Sequence, residues 1–315
     1  MTRTRSTLLV APHQFPDLER ERALAEEFGL ELVAAADQDQ FRAGMADAAI
    51  VLVTPYAKVK AEEIALLTHC KAIVRYGIGY DNIDARAATA AGVPVSIIPD
   101  ASTDEVAAHA LAAGLALARR IPQGQAAIAD GRWAGTIAYD APKLSNLDVG
   151  ILGMGRIGRL VAEWWAALGA QVRAHDPFAS YSAIASASIE EILEHSDVIS
   201  LHLPLTSETR HLVNAETLRK MRKGTVVVNV SRGGLVDEQA LVDALRSGHI
   251  AGAALDVFAE EPLPSGHPLR DAPNTILTPH VAWRSNISLG ALQQGAVDRA
   301  RRALRAEPLP DIVTQ

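Results

Sequence analysis

The sequence predicts an α/β protein built from two doubly wound domains with mostly parallel sheets. Short apolar runs of the strand type alternate with helical patterns over most of the chain, which is the signature of βαβ units. Several runs are apolar at nearly every position, as expected for strands that helices cover on both faces. The length of 315 residues also fits two domains, at roughly 150 residues each.

Ten runs carry the strand pattern, four of them before residue 100 and six after residue 145. In chain order they are Leu8 to Ala11, Ala49 to Thr54, Ala72 to Arg75, Val93 to Ile97, Asp148 to Leu152, Gln171 to His175, Val198 to Leu203, Thr225 to Val230, Ala253 to Val257 and Thr275 to Thr278. Because neighbouring parallel strands need a crossover connection, the helical patterns between these runs are expected to cover the sheets.

A long helix is predicted from about Thr103 to Arg120. Asp100, Ser102 and Thr103 offer N-cap side chains at its start, and Pro122 is expected to end it. The segment that follows, Gln123 to Asn146, has little periodicity. We predict that it forms either an arm that packs on a second subunit or a surface loop.

The charge balance limits the class of partner. A formal net charge of -7 and a pI of about 5.8 provide no basic surface for nucleic acid or for an anionic membrane. No apolar run reaches the roughly 20 residues of a membrane-spanning helix. We therefore expect a small-molecule partner, with no nucleic acid and no membrane involved.

The cysteine content and the N-terminus favour the cytoplasm. The single cysteine, Cys70, excludes an internal disulfide and a cysteine-rich metal site, so no metal is expected. The apolar stretch from Leu8 to Pro12 is too short for the core of a signal peptide and is interpreted as a strand.

A glycine turn at residues 153–158 predicts a dinucleotide site. An apolar strand precedes it and a helical pattern from Arg156 to Leu168 follows it. Gly153 permits the tight turn, Gly155 lets the backbone approach a pyrophosphate at the helix N-terminus, and Gly158 lets helix and strand pack closely. Because a Rossmann domain carries this turn after its first strand, a separate α/β domain is expected before it.

The identity of the dinucleotide depends on Asp176. This residue ends the second strand of the domain, 18 residues after Gly158, near the spacing expected for the carboxylate that binds the adenosine ribose. Such a carboxylate would repel a 2′-phosphate, which favours NAD over NADP. Two alternatives stay open: Arg173 could neutralise a 2′-phosphate, and Asp176 could merely cap the turn with Pro177.

Three polar residues follow successive predicted strands of the nucleotide domain: Arg232, Glu261 and His280. The carboxyl ends of such strands are where doubly wound sheets bind ligands. Together they supply what hydride transfer to a 2-keto acid needs. Arg232 can hold a carboxylate and polarise a carbonyl, His280 can exchange the hydroxyl proton, and Glu261 can orient the imidazole and favour its protonated form.

Each of these residues alone has a simpler interpretation, as a surface arginine, a solvated glutamate or a structural histidine. Their appearance after successive strands is what favours a site. His202 lies at another strand end and is predicted to line the nucleotide cleft.

With these motifs and the segment Arg75 to Asp84, the chain resembles the D-isomer-specific 2-hydroxyacid dehydrogenases from about residue 45 to residue 285. The resemblance implies Arg232, Glu261 and His280 as catalytic residues, with Glu261 rather than Glu260 because the glutamate of the family directly precedes the proline. Formate dehydrogenases of the superfamily have an amide where Glu261 stands, which argues against formate as substrate.

The resemblance also implies a discontinuous first domain. Residues 1–99 and 286–315 would form the substrate domain, residues 100–285 would form the NAD-binding Rossmann domain, and substrate would bind in the cleft between them. Ile78 and Gly79 would offer backbone N–H groups to the substrate carboxylate. The implied cofactor-binding residues are Ser102, Thr103, Gly153, Gly155, Arg156, Ile157, Gly158, Asp176, His202, Pro204, Val230 and Asp256.

Arg75 and Trp283 resemble the C-terminal binding protein branch of the family, where both contact a 2-keto acid with a side chain of some size. A tryptophan provides a broad apolar wall and leaves little room for a second charged group. We therefore expect an apolar or thioether keto acid rather than phosphohydroxypyruvate. The chain ends at Gln315 without the regulatory domain of many phosphoglycerate dehydrogenases, so serine feedback is not expected.

These observations favour an NAD-dependent 2-keto acid reductase in which His280 is the general acid/base. Two alternatives remain: an NAD(H)-sensing interaction protein of the C-terminal binding protein type, and an NADP-dependent glyoxylate or hydroxypyruvate reductase. The arm around Trp133 and the family resemblance indicate a homodimer.

Overall fold

The computed structural model describes residues 6–136 and 140–313, and these divide between two compact units. Unit 1 comprises Met1–Ser102 and Arg284–Gln315, and unit 2 comprises Thr103–Trp283. Residues 137–139 of the predicted arm lie outside the described residues, as do the first five and last two residues of the predicted substrate domain.

Strands and helices alternate along the chain. The strands are β1 (Thr7–Val10), β2 (Glu31–Ala34), β3 (Ala48–Val53), β4 (Ala72–Arg75), β5 (Val95–Ser96), β6 (Asp148–Leu152), β7 (Gln171–His175), β8 (Ala185–Ser186), β9 (Val198–Leu201), β10 (Val226–Asn229), β11 (Gly252–Leu255) and β12 (Thr275–Leu277). The helices are α1 (Glu19–Phe28), α2 (Gln38–Gly44), α3 (Ala61–Ile64), α4 (Ala85–Ala90), α5 (Thr103–Ala118), α6 (Ile121–Ala129), α7 (Arg156–Ala167), α8 (Ile189–His195), α9 (Ala215–Lys220), α10 (Glu238–Arg246) and α11 (Ser288–Leu304). Over the described ranges, none of these helices combines the length and apolar character needed to cross a bilayer.

Unit 1 is a parallel sheet in the order β2-β1-β3-β4-β5 with helices packed against it. Its central strands β1, β3 and β4 are buried at every position, which explains their continuous apolar sequence. Helix α11, which follows unit 2 in the chain, packs on α1, β3 and β4. The return of α11 makes this unit discontinuous in sequence.

Unit 2 is a parallel sheet in the order β12-β11-β10-β9-β6-β7-β8. One core contains buried residues of α5 and α7, with Trp165 and Leu117 at its centre, and the other contains those of α8 and α10, including Ile192 and Leu241. The strand order reverses between β6 and β9, whose carboxyl ends therefore flank the place where doubly wound sheets bind ligands.

The predicted fold class is confirmed, because both sheets are parallel and both units are α/β. The prediction that the chain leaves helix after Arg120 is wrong, since α6 follows at once. Arg120 has a left-handed φ of 58°, which separates α5 from α6. Pro122 lies in the first turn of α6, where a missing N–H breaks no helical hydrogen bond.

Candidate functional site

Three adjacent strands of unit 2 end in turns that carry the predicted catalytic residues. β10, β11 and β12 pair in parallel register, so their carboxyl ends lie along one edge of the sheet. Arg232 follows β10, Glu261 follows β11 and His280 follows β12. The structure thereby gathers these three turns on a common edge.

The Arg232 turn is fixed by the buried Asn229 at the end of β10. The Asn229 amide donates to the carbonyl of Arg232 at 2.9 Å, and its oxygen accepts the N–H of Ser231 at 3.0 Å. The Ser231 hydroxyl donates to the Leu201 carbonyl at 2.8 Å, which ties the turn to β9. Arg232 is partly buried, and its backbone is held in place by the side-chain amide of Asn229.

The Glu261 turn packs directly on the Arg232 turn. A Cβ on Gly233 would collide with the backbone of Phe258 and Ala259, so only glycine permits this approach. Within the turn, the Phe258 N–H donates to Oε1 of Glu261 at 3.0 Å. Glu261 is thus held by its own loop while Oε2 is left for another donor.

That donor is His280, whose Nδ1 lies 2.7 Å from Oε2 of Glu261. Burial raises the pKa of Glu261, but the hydrogen bond and charge of His280, the Phe258 N–H and the charge of Arg232 together outweigh it. The net pKa lies below the ordinary value of 4.5, so Glu261 is ionised at neutral pH. Each side chain of the pair is 36% exposed, so the imidazole is both oriented and accessible.

His280 occupies a backbone conformation that L-residues rarely adopt, with a φ of 54°. Such a conformation costs on the order of 1–3 kcal/mol and needs support from its surroundings. The His280 N–H donates to the carbonyls of Asp256 at 2.8 Å and Thr278 at 3.0 Å. The Trp283 indole N–H donates to the His280 carbonyl at 3.0 Å.

Asp256 fastens the His280 turn to the end of β11. Its carboxylate is 2% exposed and accepts the N–H groups of Val281 at 2.9 Å and Ala282 at 2.8 Å. It also accepts the Thr278 hydroxyl at 2.6 Å, which in turn contacts Nε2 of His109 at 3.1 Å. Asp256 therefore secures the turn on both sides of His280.

The glycine turn has the geometry of a phosphate cradle. A Cβ on Gly153, which has a φ of 99°, would collide with the His202 carbonyl, and a Cβ on Gly158 would collide with the Gly153 carbonyl. Nothing lies within 4 Å of the position that a Cβ on Gly155 would take. Gly155 is the N-cap of α7 and makes no side-chain cap hydrogen bond, so Arg156 and Ile157 form the first turn of a helix, the kind of N-terminus that binds phosphate.

Asp176 caps a turn and also touches the glycine turn. Oδ1 accepts the N–H groups of Phe178 at 2.9 Å and Ala179 at 3.1 Å, which is the capping role left open above. Oδ2 accepts the Met154 N–H at 2.7 Å and can accept one more donor, such as a ribose hydroxyl. Arg173 instead pairs with Asp148 at 3.0 Å.

His202 lies beneath the glycine turn, with its Nε2 2.8 Å from the Ser200 hydroxyl. Burial lowers the pKa of His202 to about 4, so its ring is neutral at physiological pH. The backbone N–H of His202 donates to the Leu152 carbonyl at 2.7 Å. Pro204, two residues later, is exposed. Val230 is partly buried at the end of β10, against the core of α5 and α7.

The predicted substrate residues Arg75, Ile78 and Gly79 belong to unit 1. Arg75 is 8% exposed and its guanidinium lies over Gly77, whereas Ile78 is 44% exposed. Between them, the buried Tyr76 donates to Oε1 of Glu21 at 2.8 Å. Burial, followed by the Glu21 charge, raises the pKa of Tyr76 well above its ordinary value, so the phenol stays neutral.

The remaining predicted residues lie where one unit gives way to the other along the chain. Ser102 is the last residue of the first segment of unit 1, and Thr103 begins both unit 2 and α5. Trp283 ends unit 2 and is partly buried.

Four polar residues near these turns were missed by the sequence patterns: His109, Arg159, Glu238 and Thr278. The Arg159 side chain donates to two backbone carbonyls, that of Met154 at 2.8 Å and that of Ser180 at 2.9 Å. Apart from the Arg159–Met154 contact, the partners of these residues lie at least 21 residues away, so local spacing gives no signal for His109, Arg159 or Thr278. Glu238 alone had a local signal, as an acidic residue in the first turn of a helix.

Comparisons with known proteins identify the family. The family model for the D-isomer specific 2-hydroxyacid dehydrogenase, NAD binding domain, matches residues 111–282. The chain is 39% identical over 304 residues to D-3-phosphoglycerate dehydrogenase of Mycobacterium bovis, covering 92% of this chain and 56% of that protein. It is 35% identical over 279 residues to glyoxylate reductase of Korarchaeum cryptofilum, covering 85% and 83%.

Among solved structures, NAD-dependent formate dehydrogenase from Staphylococcus aureus in complex with NAD superposes with a TM-score of 0.85 at 30% identity, covering 98% of this chain and 99% of that one. The chain spans about half the length of the phosphoglycerate dehydrogenases that it matches.

Proposed function

Since this chain belongs to the D-isomer-specific 2-hydroxyacid dehydrogenase family, we propose that it is an NAD-dependent D-2-hydroxyacid dehydrogenase. It would transfer hydride reversibly between NAD(H) and a 2-keto or 2-hydroxy acid. The observation that carries the proposal is the 2.7 Å contact between Nδ1 of His280 and Oε2 of Glu261, beside the Arg232 turn. This arrangement combines an oriented acid/base with an anion-binding guanidinium.

His280 is proposed to exchange the substrate hydroxyl proton through Nε2, because Glu261 engages Nδ1. In the reduction direction, the Nε2–H bond breaks as the new O–H bond forms, and the imidazole is left neutral. In the oxidation direction, Nε2 takes the proton back. The Glu261 carboxylate stabilises the protonated ring and fixes its orientation in both directions.

Arg232 is proposed to bind the substrate carboxylate and to polarise the keto oxygen with its fork of N–H donors. Polarisation by Arg232 would make the carbonyl carbon an acceptor for the hydride that NADH would supply when bound. In unit 1, the backbone N–H groups of Ile78 and Gly79 are proposed to bind an anionic group of the substrate.

We propose that the two units have different roles, one in cofactor binding and the other in substrate binding. Unit 2, predicted as residues 100–285, would hold the dinucleotide, with the pyrophosphate at Gly155 and the N-terminus of α7. Val230 and Asp256 would contact the nicotinamide amide. Unit 1, predicted as residues 1–99 and 286–315, would contribute to substrate binding.

NAD is favoured over NADP as the cofactor. Asp176 presents a negative charge beside the glycine turn, and a 2′-phosphate would be repelled there. Arg173, the residue that could have neutralised the phosphate, pairs with Asp148. An NADP-dependent reductase is therefore the weaker alternative.

We propose that the substrate is a 2-keto acid with an apolar or thioether side chain. Trp283 and Arg75 favour a keto acid with an apolar or thioether side chain. The M. bovis and K. cryptofilum relatives act, by their names, on phosphoglycerate and glyoxylate. A screen of NADH oxidation across 2-keto acids graded by size and charge separates these classes, and a far higher kcat/KM for glyoxylate or phosphohydroxypyruvate overturns the apolar preference.

The same screen with His280→Ala tests the mechanism. We expect the variant to bind NADH as the wild type does and to lose most of its turnover. Wild-type kcat in a variant with intact NADH binding would show that His280 is not the acid/base.

A homodimer is the proposed assembly. Ile121 and Ile128 on α6 are 56% and 55% exposed, and Trp133 beyond the helix is 73% exposed. Large apolar side chains clustered at a surface mark an interaction site, and a second copy is the occupant that we propose. Sedimentation of the wild type and of Trp133→Ser tests it, with a monomeric wild type contradicting it. We also propose a cytoplasmic protein, because the sequence has one cysteine and no disulfide.

An NAD(H)-sensing interaction protein is the second candidate. Its distinguishing outcome is a change of oligomer mass on addition of NADH, in a protein that oxidises NADH with none of the keto acids in the screen. The Glu261–His280 contact favours the enzyme, because a sensor has no need for an oriented, accessible imidazole.

A further inference from the structure

Glu238 holds both ends of the loop that carries Glu261. It is the first residue of α10, and its side chain is only 10% exposed. Oε1 accepts the N–H of Ala259 at 2.8 Å, and Oε2 lies 3.1 Å from Nε2 of His267. The segment from Ala259 to His267 is thereby closed by one carboxylate, with Glu261 inside it.

The His267 contact has a defined direction. Nδ1 of His267 accepts the Leu269 N–H at 3.3 Å, which leaves Nε2 as the nitrogen that carries the proton. That Nε2–H donates to Glu238. A second set of contacts comes from Arg270, just beyond the segment, which donates to the carbonyls of Leu263 at 2.6 Å and Pro264 at 2.8 Å.

The Ala259 contact lies next to the group that fixes Glu261. Phe258, whose N–H donates to Glu261, precedes Ala259, so Glu238 and Glu261 accept consecutive backbone N–H groups. Glu238 is also linked by chain to Arg232, because α10 follows the Gly233–Leu235 turn after Val236 and Asp237. One carboxylate thus joins the element after Arg232 to the loop of Glu261.

We propose that Glu238 is a positioning residue that acts through Glu261. It holds the Glu261 carboxylate within hydrogen-bond distance of Nδ1 of His280. This inference rests on the proposed function, since the orientation of His280 matters for turnover only in a dehydrogenase. A competing explanation is that Glu238 merely complements the positive end of the α10 dipole.

Two conservative variants separate these explanations. Glu238→Gln keeps one oxygen acceptor for the Ala259 N–H, but it loses the charge and points an N–H group at the Nε2–H of His267. Glu238→Asp keeps the charge and both oxygens but withdraws the carboxylate by one methylene. If Glu238 is a clamp, Glu238→Ala and Glu238→Asp lower kcat by about 10- to 100-fold, because small misplacements of reacting groups have effects of that size. Glu238→Gln keeps the Ala259 contact next to the N–H that fixes Glu261, so we expect it to lose less kcat than Glu238→Ala or Glu238→Asp. The KM for NADH stays unchanged in all three variants.

Rescue by Asp and not by Gln would overturn the proposal in favour of the dipole. Asp243→Ala is the matched control, because Asp243 is an exposed carboxylate on the same helix, and it is expected to leave kcat unchanged.

A double-mutant cycle tests whether Glu238 acts through Glu261. In a Glu261→Gln background, Glu238→Ala is expected to change kcat by less than about twofold, since the group it positions is already altered. An equal loss in both backgrounds would overturn the proposal.

Hydrogen exchange provides a readout that needs no activity. Glu238→Ala is expected to raise the exchange rate of the amides of residues 259–267 at least about tenfold over that in Asp243→Ala, with the strand amides of β10 and β11 unaffected. Unchanged exchange would overturn the clamp. If the wild type reduces no keto acid, the proposed function fails on that result, and the exchange data still decide the clamp.

Discussion

Nδ1 of His280 lies 2.7 Å from Oε2 of Glu261, although His280 has a backbone φ of 54° that most residues avoid. The left-handed conformation is held by the carbonyls of Asp256 and Thr278 and by the Trp283 indole. Because these contacts act on the backbone, the turn keeps its shape independently of the imidazole. The ring and the turn that holds it can therefore be perturbed separately.

Replacing the imidazole alone is expected to abolish most turnover. Asn adopts a left-handed φ more readily than most residues, so His280→Asn should retain the turn. Loss of a general acid/base lowers kcat by about 10²- to 10⁴-fold. Steady-state NADH oxidation measures this loss, and an NADH titration serves as the control, with an unchanged Kd expected. A kcat within threefold of the wild type would contradict the assigned role.

Replacing the support beneath the turn is expected to act on stability. The buried Asp256 accepts three donors, and Asn in its place offers one oxygen and points an N–H group at a backbone N–H. We expect Asp256→Asn to lower the free energy of unfolding by about 3 kcal/mol, the upper range for hydrogen bonds to a charged group.

Urea denaturation measures this change. Thr278→Val, which removes one of the three donors, is the comparison and should lower stability by about 1 kcal/mol. If Asp256→Asn is no less stable than Thr278→Val, the backbone contacts of Asp256 are not what supports the turn.

The cofactor preference is expected to depend on Asp176 and not on Arg173. Neutralising the carboxylate in Asp176→Asn removes the repulsion of a 2′-phosphate, and we expect the ratio of the Kd values for NADPH and NADH to fall about tenfold, or ~1.4 kcal/mol. Calorimetric titration with both cofactors measures the ratio. Arg173→Gln should leave the ratio unchanged, because Arg173 pairs with Asp148. A larger effect at Arg173 would reverse the assignment.

The elements that sequence predicted well are those buried on both faces. β3 and β10 are apolar at nearly every position and buried throughout, so their pattern is unambiguous. β2 and β8 were missed. Both lie at sheet edges with exposed residues, and β8 has two residues, so neither has the apolar run of a central strand.

The sequence predicted the residues of the candidate site but not the residues that hold their turns in place. Glycine spacing and strand ends pointed to the 153–158 turn and to His280 because these signals are local in sequence. The contact between Glu238 and Ala259 spans 21 residues, and that between Asp256 and Ala282 spans 26. Such contacts arise from the order of strands in the sheet, which a single sequence does not specify residue by residue.

The acid stability of the protein is expected to depend on His202. Burial lowers its pKa to about 4 from an ordinary 6.5, so between these values the unfolded chain binds a proton that the native state does not. The contribution of His202 to stability is then fully present above pH 6.5 and is lost as the pH falls toward 4. At ~1.4 kcal/mol per pH unit, this loss reaches at most about 3.5 kcal/mol.

His202→Gln removes the titrating group and should flatten the pH dependence in that window. Urea unfolding of both proteins at intervals between pH 7 and pH 4 measures the difference in their free energies of unfolding. We expect the difference in free energy of unfolding between the wild type and the variant to decrease steadily as the pH falls. The reason is that only the wild type has a buried imidazole that must stay unprotonated in the native state. If the free energies of unfolding of the two proteins have the same pH dependence, the His202 imidazole is hydrated in solution. The glycine turn is then packed less tightly against Ser200 and His202 than described above.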